Sequence, residues 1–171
     1  MQFKLNRIHR LIANAAAKDK NRPALHCVHI RKGTIEAANG YILMERKVDY
    51  DGEANILLDI KDIANHKDAK GLNGVVYTGD DKELRAIGQD QYIITPKDGS
   101  FPKTEALYPT NDPVFRIALS KDRLLEMLKC LDKGEDLIKF YFYGADKPAR
   151  IVAAYGDVQG LIMPMKAELN D

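Results

Sequence analysis

The sequence predicts an α+β fold of three successive units, each a strand, a helix and three further strands, with antiparallel sheets. Three observations carry that reading. Apolar periodicity switches between helical and extended spacing in the same order three times along the chain. Short polar turns such as "RKGT", "TGDDKE" and "ADKP" join adjacent strands as hairpins, which makes the sheets antiparallel. Helix starts are marked by Asp59 and Ser120, residue types whose side chains cap exposed helix N–H groups.

In the first unit, Leu5, Ile8, Leu11, Ile12, Ala15 and Ala16 place a helix from Asn6 to Lys18, ended by the loop "KDKNRP". "ALHCVHIRKG", "TIEAANG" and "YILMERKVDY" follow as strands. The second unit opens with the short apolar strand "ANILLDI". Asp59 caps a helix over 60–67, Gly71 closes it, and "NGVVYTG", "ELRAIGQ" and "QYIITP" are its strands. "YPTNDP" links to the third unit. There "VFRIALS" is a strand and Ser120 caps a helix over 121–131, with Leu124, Leu125, Leu128 and Leu131 on one face. The strands "LIKFYFYG", "ARIVAAYG" and "VQGLIMPMK" follow. Unit edges fall near Tyr50 and Pro109. The letters do not align between units, so the repeat is structural.

The 171 residues are 45% hydrophobic and 30% charged, an ordinary composition for a folded chain. The net charge of +1 neither announces nor excludes a nucleic-acid surface, because affinity follows where charge is placed. Cys27 and Cys130 have no paired spacing and read as small core residues of a reduced, cytoplasmic protein. No apolar run approaches a membrane span, and "MQFKLNRIHR" lacks a signal-peptide core.

His26 and His29 form an HxxH, but on a strand they face opposite sides, so packing or hydrogen bonding is the expected role and no metal site is assigned. No nucleophile elbow, zinc-protease motif or phosphate loop occurs. No catalytic residues and no cofactor are assigned, and a non-catalytic accessory protein is expected.

The order of elements, with "RPALHCVHIRKGTIEAANGYIL", "GSFPKTEALYP" and the C-terminal "QGLIMPMK", resembles the bacterial sliding clamp, the beta subunit of DNA polymerase III, in a shortened form. The hairpin "ANGYIL" stands where that family carries a Thr-Asp-Gly-His-Arg-Leu-like turn. Phe101, Pro102 and Pro109 hold the places of a Phe-Pro…Pro segment, and Met163, Pro164, Met165 and Lys166 those of a Met-Pro-Met-Arg-like end. The resemblance implies a DNA-clamp fold, with residues 1–110 a complete, middle-domain-like clamp domain and 111–171 the second half of a C-terminal-like one. Asn39, Tyr41 and Ile42 replace polar and basic residues of the family pattern.

The resemblance further implies an apolar groove for short peptide motifs of DNA polymerases and repair proteins. Carried over by position, it is lined by Leu25, Gly40, Tyr41, Leu43, Pro102, Leu107, Leu161, Ile162, Met163, Pro164 and Met165. Methionine suits such a groove because its flexible, polarizable side chain repacks around varied anchors. A second surface is expected for duplex DNA without sequence preference. Arg7, Arg10, Asn14 and Lys18 form one stripe of the first helix, extended by Lys20 and Arg22, and such cations act through counterion release. The other two helices mix charges: Lys61 and Lys67 with Asp62 and Asp68, Lys129 and Lys133 with Asp122 and Glu126.

The implied function is a sliding-clamp-like processivity factor or tether in DNA replication or repair. The alternative is a monomeric peptide-binding module that competes for clamp-binding motifs without encircling DNA. Family rings close with twelve strand-helix-strand units. Three units per chain therefore imply a homotetrameric ring, joined head to tail by edge strands, with an open monomer and a two-fold dimer as the other assemblies.

Overall fold

The computed structural model describes residues 1–68, 70–71, 73–131, 137–153 and 158–166. The chain divides into two compact units, Met1–Tyr108 and Pro109–Asp171.

The first unit contains two copies of a strand-helix-three-strand repeat. The first copy is β1 (Gln2–Leu5), α1 (Arg7–Arg10), β2 (Cys27–Arg31), β3 (Thr34–Ala38) and β4 (Leu43–Lys47). The second is β5 (Ile56–Asp59), α2 (Ile60–Ala64), β6 (Val75–Gly79), β7 (Leu84–Ile87) and β8 (Gln91–Ile94). Two four-stranded antiparallel sheets result, ordered β1-β6-β7-β8 and β4-β3-β2-β5. Each repeat thus lends its opening strand to the sheet of the other. One core is shared between them, with Phe3, Leu5, Val28, Ile30, Ile56, Leu58, Val75 and Tyr77 all buried. Phe3 stacks on Tyr77 at 5.0 Å. Burial of side chains this size contributes about 1.5–3 kcal/mol each, so the exchange holds the halves together.

β1 lies ahead of the first expected element. Its "QFKL" alternates exposed and buried residues, but Leu5 also fits the helical pattern that follows. The first helix is much shorter than the expected 6–18. α1 ends at Arg10 and a 3-10 turn runs over Leu11–Ala15. Tertiary packing overrides propensity here. Ala15, Ala16 and Ala17 are drawn into the core, Ala17 N–H donates to Leu25 O at 2.8 Å, and Ala17 O bonds the His26 ring at 2.8 Å. α2 likewise stops at Ala64, short of Lys67, although Asp59 caps it by accepting from Lys61 N–H.

The second unit contains α3 (Lys121–Leu128), β9 (Ile138–Tyr141), β10 (Ala149–Ala153) and β11 (Gln159–Ile162), the strands forming a sheet ordered β11-β10-β9. Ser120 caps α3 by accepting from Arg123 N–H. α3 ends before the expected Leu131, and "VFRIALS" is not a strand: only Leu119 makes an isolated bridge, to Pro164. Cys27 is buried, whereas Cys130 is exposed, against the expectation of a core residue. Lys133 and positions 154–156 of an expected strand lie outside the described residues. No described helix is long and apolar enough to cross a membrane.

Candidate functional site

In the first unit the candidate residues gather around the β3–β4 hairpin and the segment after β8. The hairpin tip is fixed by Asn39, whose Oδ1 accepts from Tyr41 N–H at 2.9 Å and Ile42 N–H at 3.1 Å. Gly40 sits at φ 93°, a conformation that side chains with a Cβ resist. A Cβ there would lie 2.8 Å from Arg22 Nη1. Arg22, assigned from sequence to DNA, therefore lies over the hairpin. The tight tip leaves Tyr41 95% exposed, with Ile42 and Met44 exposed beside it. Leu43 and Leu25 are half-buried, Leu25 against the small cluster of Cys27, Leu57 and Phe101. Pro102 is exposed and Leu107, in a 3-10 turn over Thr104–Leu107, is 66% exposed.

A buried polar network holds that last segment in place. Glu36 is fully buried on β3. Its carboxylate accepts from the His29 ring at 2.8 Å, from Arg31 Nε at 3.0 Å and from the Thr104 hydroxyl. Arg31 also pairs with Glu105 at 3.2 Å, and Phe101 stacks on His29 at 4.9 Å. Burial pushes the Glu36 carboxyl up, but the bonds from His29, Thr104 and Arg31 and the Arg31 charge outweigh it and hold it below the ordinary glutamate value. His29, Arg31, Glu36, Phe101 and Glu105 border a polar cavity of about 280 Å³. The network went unread in the sequence; its one signal was a lone glutamate within the apolar alternation of "TIEAA".

In the second unit the C-terminal segment alternates. Leu161, Met163 and Met165 are exposed by 66%, 54% and 47%, while Ile162 is 2% exposed. Ile162 therefore belongs to the core with Ala149 and Ile151, and is not a groove-lining residue. Pro164 is half-buried and bridged to Leu119, and Met165 N–H donates to Ala118 O at 2.8 Å. This pairing holds an extended backbone whose alternate apolar side chains point outward.

The expected cationic stripe is broken up. Arg7 is exposed. Arg10 is largely buried, with Nη1 donating to Leu5 O at 2.9 Å and Nη2 in an ion pair with Asp68 at 2.6 Å. It is engaged in the fold and not presented as part of a helical face. Lys18, Lys20 and Arg22 are exposed, but on the loop beyond the 3-10 turn. No group of three or more metal-ligating side chains occurs among the described residues.

Reciprocal exchange of opening strands between repeats, with two antiparallel sheets, defines this as a DNA-clamp fold. Solved bacterial clamps share it. The Helicobacter pylori beta clamp, solved with a DNA ligase peptide, matches with a TM-score of 0.72 at 10% identity over 98% of this chain and 51% of that one. The Bacillus subtilis sliding clamp matches at 0.69 and 15% identity over 96% of this chain and 49% of that one. The Borrelia burgdorferi DNA polymerase III beta subunit, in complex with a natural product, matches at 0.69 and 15% identity over 97% and 48%. The chain thus spans about half the length of these clamps. No family model matches the sequence, and no curated protein does.

Proposed function

We propose that this protein is a non-catalytic, clamp-like tether of DNA replication or repair that docks short peptide motifs of polymerases and repair proteins on its exposed apolar residues. The observation that supports this best is the row Leu161, Met163 and Met165, held outward by an ordered backbone. The first unit carries an apolar group of its own, with Tyr41 and Leu107 exposed and Leu43 half-buried. The Helicobacter pylori relative was solved with a DNA ligase peptide, which supports peptides as the ligand class. A short flexible peptide in such a site reaches an affinity of micromolar order, about −8 kcal/mol.

Calorimetry with a Gln-Leu-x-Leu-Phe-like peptide tests the reading. Met163→Ala should weaken binding several-fold, and Leu43→Asp should weaken it more, because it places a charge against apolar anchors. Unchanged affinity in both variants would rule the docking surface out. A second reading, a peptide module that competes for such motifs without encircling DNA, is favoured by one observation: Arg10 is tied to Asp68 and Leu5 instead of facing a phosphate backbone.

A further inference from the structure

The two repeats of Met1–Tyr108 complete one another, and the third repeat has every part needed for the same exchange. β1 pairs with β6 through Phe3↔Tyr77 and Leu5↔Val75, and β5 pairs with β2 through Ile56↔Ile30 and Leu58↔Val28. Each donated strand ends immediately before or at a helix cap, Asn6 or Asp59. In the third repeat Ser120 is the cap, so Ile117 and Leu119 stand where Ile56 and Leu58 do. The bond from Met165 N–H to Ala118 O repeats that from Lys97 N–H to Leu57 O, both at 2.8 Å.

The acceptor is also present and open. Among the described residues β9 pairs only with β10. Phe140 pairs with Ile151 as Ile30 pairs with Ile35 and Tyr77 with Ala86, but Ile30 and Tyr77 are fully buried while Phe140 is 39% exposed. Phe115, Leu137, Tyr141, Phe142 and Tyr143 around it are exposed too. α3 buries none of its residues, and an apolar cavity of about 150 Å³ lies against its Met127 and Leu128. An open strand edge flanked by apolar side chains is a template for pairing.

We propose that a second copy of this chain covers this surface, each copy laying its segment 117–119 on the other's β9 about a two-fold axis. The register is set by the two exchanges already present: Leu119 opposite the partner's Ile138 and Ile117 opposite the partner's Phe140. Donor and acceptor reside on one repeat, so the surface is self-complementary, the condition for an isologous dimer. The interface repeats, between two copies, the exchange of strands that the chain makes between its own first two repeats. It stands whether or not the peptide reading does.

Light scattering of the full chain over a concentration series tests this. The expected mass is twice 19.2 kDa or an even multiple, with Phe140→Asp raising the dissociation constant at least about ten-fold and moving the mass toward one chain. Register is read separately in a Cys130→Ser background. Ala118→Cys with Lys139→Cys should give a disulfide-linked dimer on mild oxidation, and Ala118→Cys with Tyr141→Cys, two residues out of register, should not. A single-chain mass at the highest concentration, an odd number of chains, an assembly that Phe140→Asp leaves intact, or crosslinking only in the offset pair would each overturn the proposal.

Discussion

Glu36 shows how one residue places a surface it does not itself form. Its buried carboxylate ties β3 to Thr104, three residues before the exposed Leu107. Removing it leaves His29, Arg31 and Thr104 without their shared acceptor, and unpaired buried polar groups are costly. Glu36→Ala should therefore lower unfolding stability by about 2–3 kcal/mol, since Arg31 keeps Glu105 as a partner. The folded carboxyl titrates below its unfolded value, so its contribution is fully present above the ordinary glutamate pKa of about 4.3 and is lost as pH falls through the folded value. In denaturant titrations the stability difference between wild type and Glu36→Ala should be full above about pH 4.3 and shrink as pH falls through the lower, folded value. A constant difference across that range would remove the carboxylate from this role. Such a network was hidden in the sequence because a glutamate inside a strand is ordinarily solvated. Only the fold brings Thr104 to it.

At the level of elements, the signals that were legible were local ones. Asp59 and Ser120 cap their helices because the cap bond spans two or three residues and needs nothing distant. Hairpin order came through for the same reason. Helix length did not, since the extent of α1 is decided by Ala15–Ala17 packing under the sheets. The apolar run "VFRIALS" read as a strand on composition, yet a strand exists only where a neighbour pairs with it. Along 161–165, strict alternation separates the exposed Leu161, Met163 and Met165 from the buried Ile162, which listing the stretch whole could not do. The short α1 also divides the cations by role. Neutralising Arg7, Lys18, Lys20 and Arg22 together should lower duplex DNA affinity and flatten its salt dependence. Arg10→Ala should instead cost about 1–3 kcal/mol of stability through the lost ion pair and carbonyl bond, with little change in the salt slope. Equal loss of salt dependence in both variants would return Arg10 to the DNA surface.

For the molecule as a whole, assembly decides what kind of tether it is. Two copies joined through their third repeats carry half of the twelve units that the clamp resemblance assigns to a ring. A four-chain assembly is then a pair of two-fold dimers and not the head-to-tail ring expected from counting alone. A single dimer leaves a peptide module with two docking surfaces, whose tethered binding gains from effective concentration. The tethering role, in any of these assemblies, depends on exposed apolar residues taking a peptide, and amide chemical-shift mapping of the labelled full chain reads that residue by residue. On titration with a Gln-Leu-x-Leu-Phe-like peptide, saturable shifts should concentrate at the exposed Leu161, Met163 and Met165, with a dissociation constant of micromolar order. Absence of shifts in a folded sample, or shifts confined to other surfaces, would contradict the account.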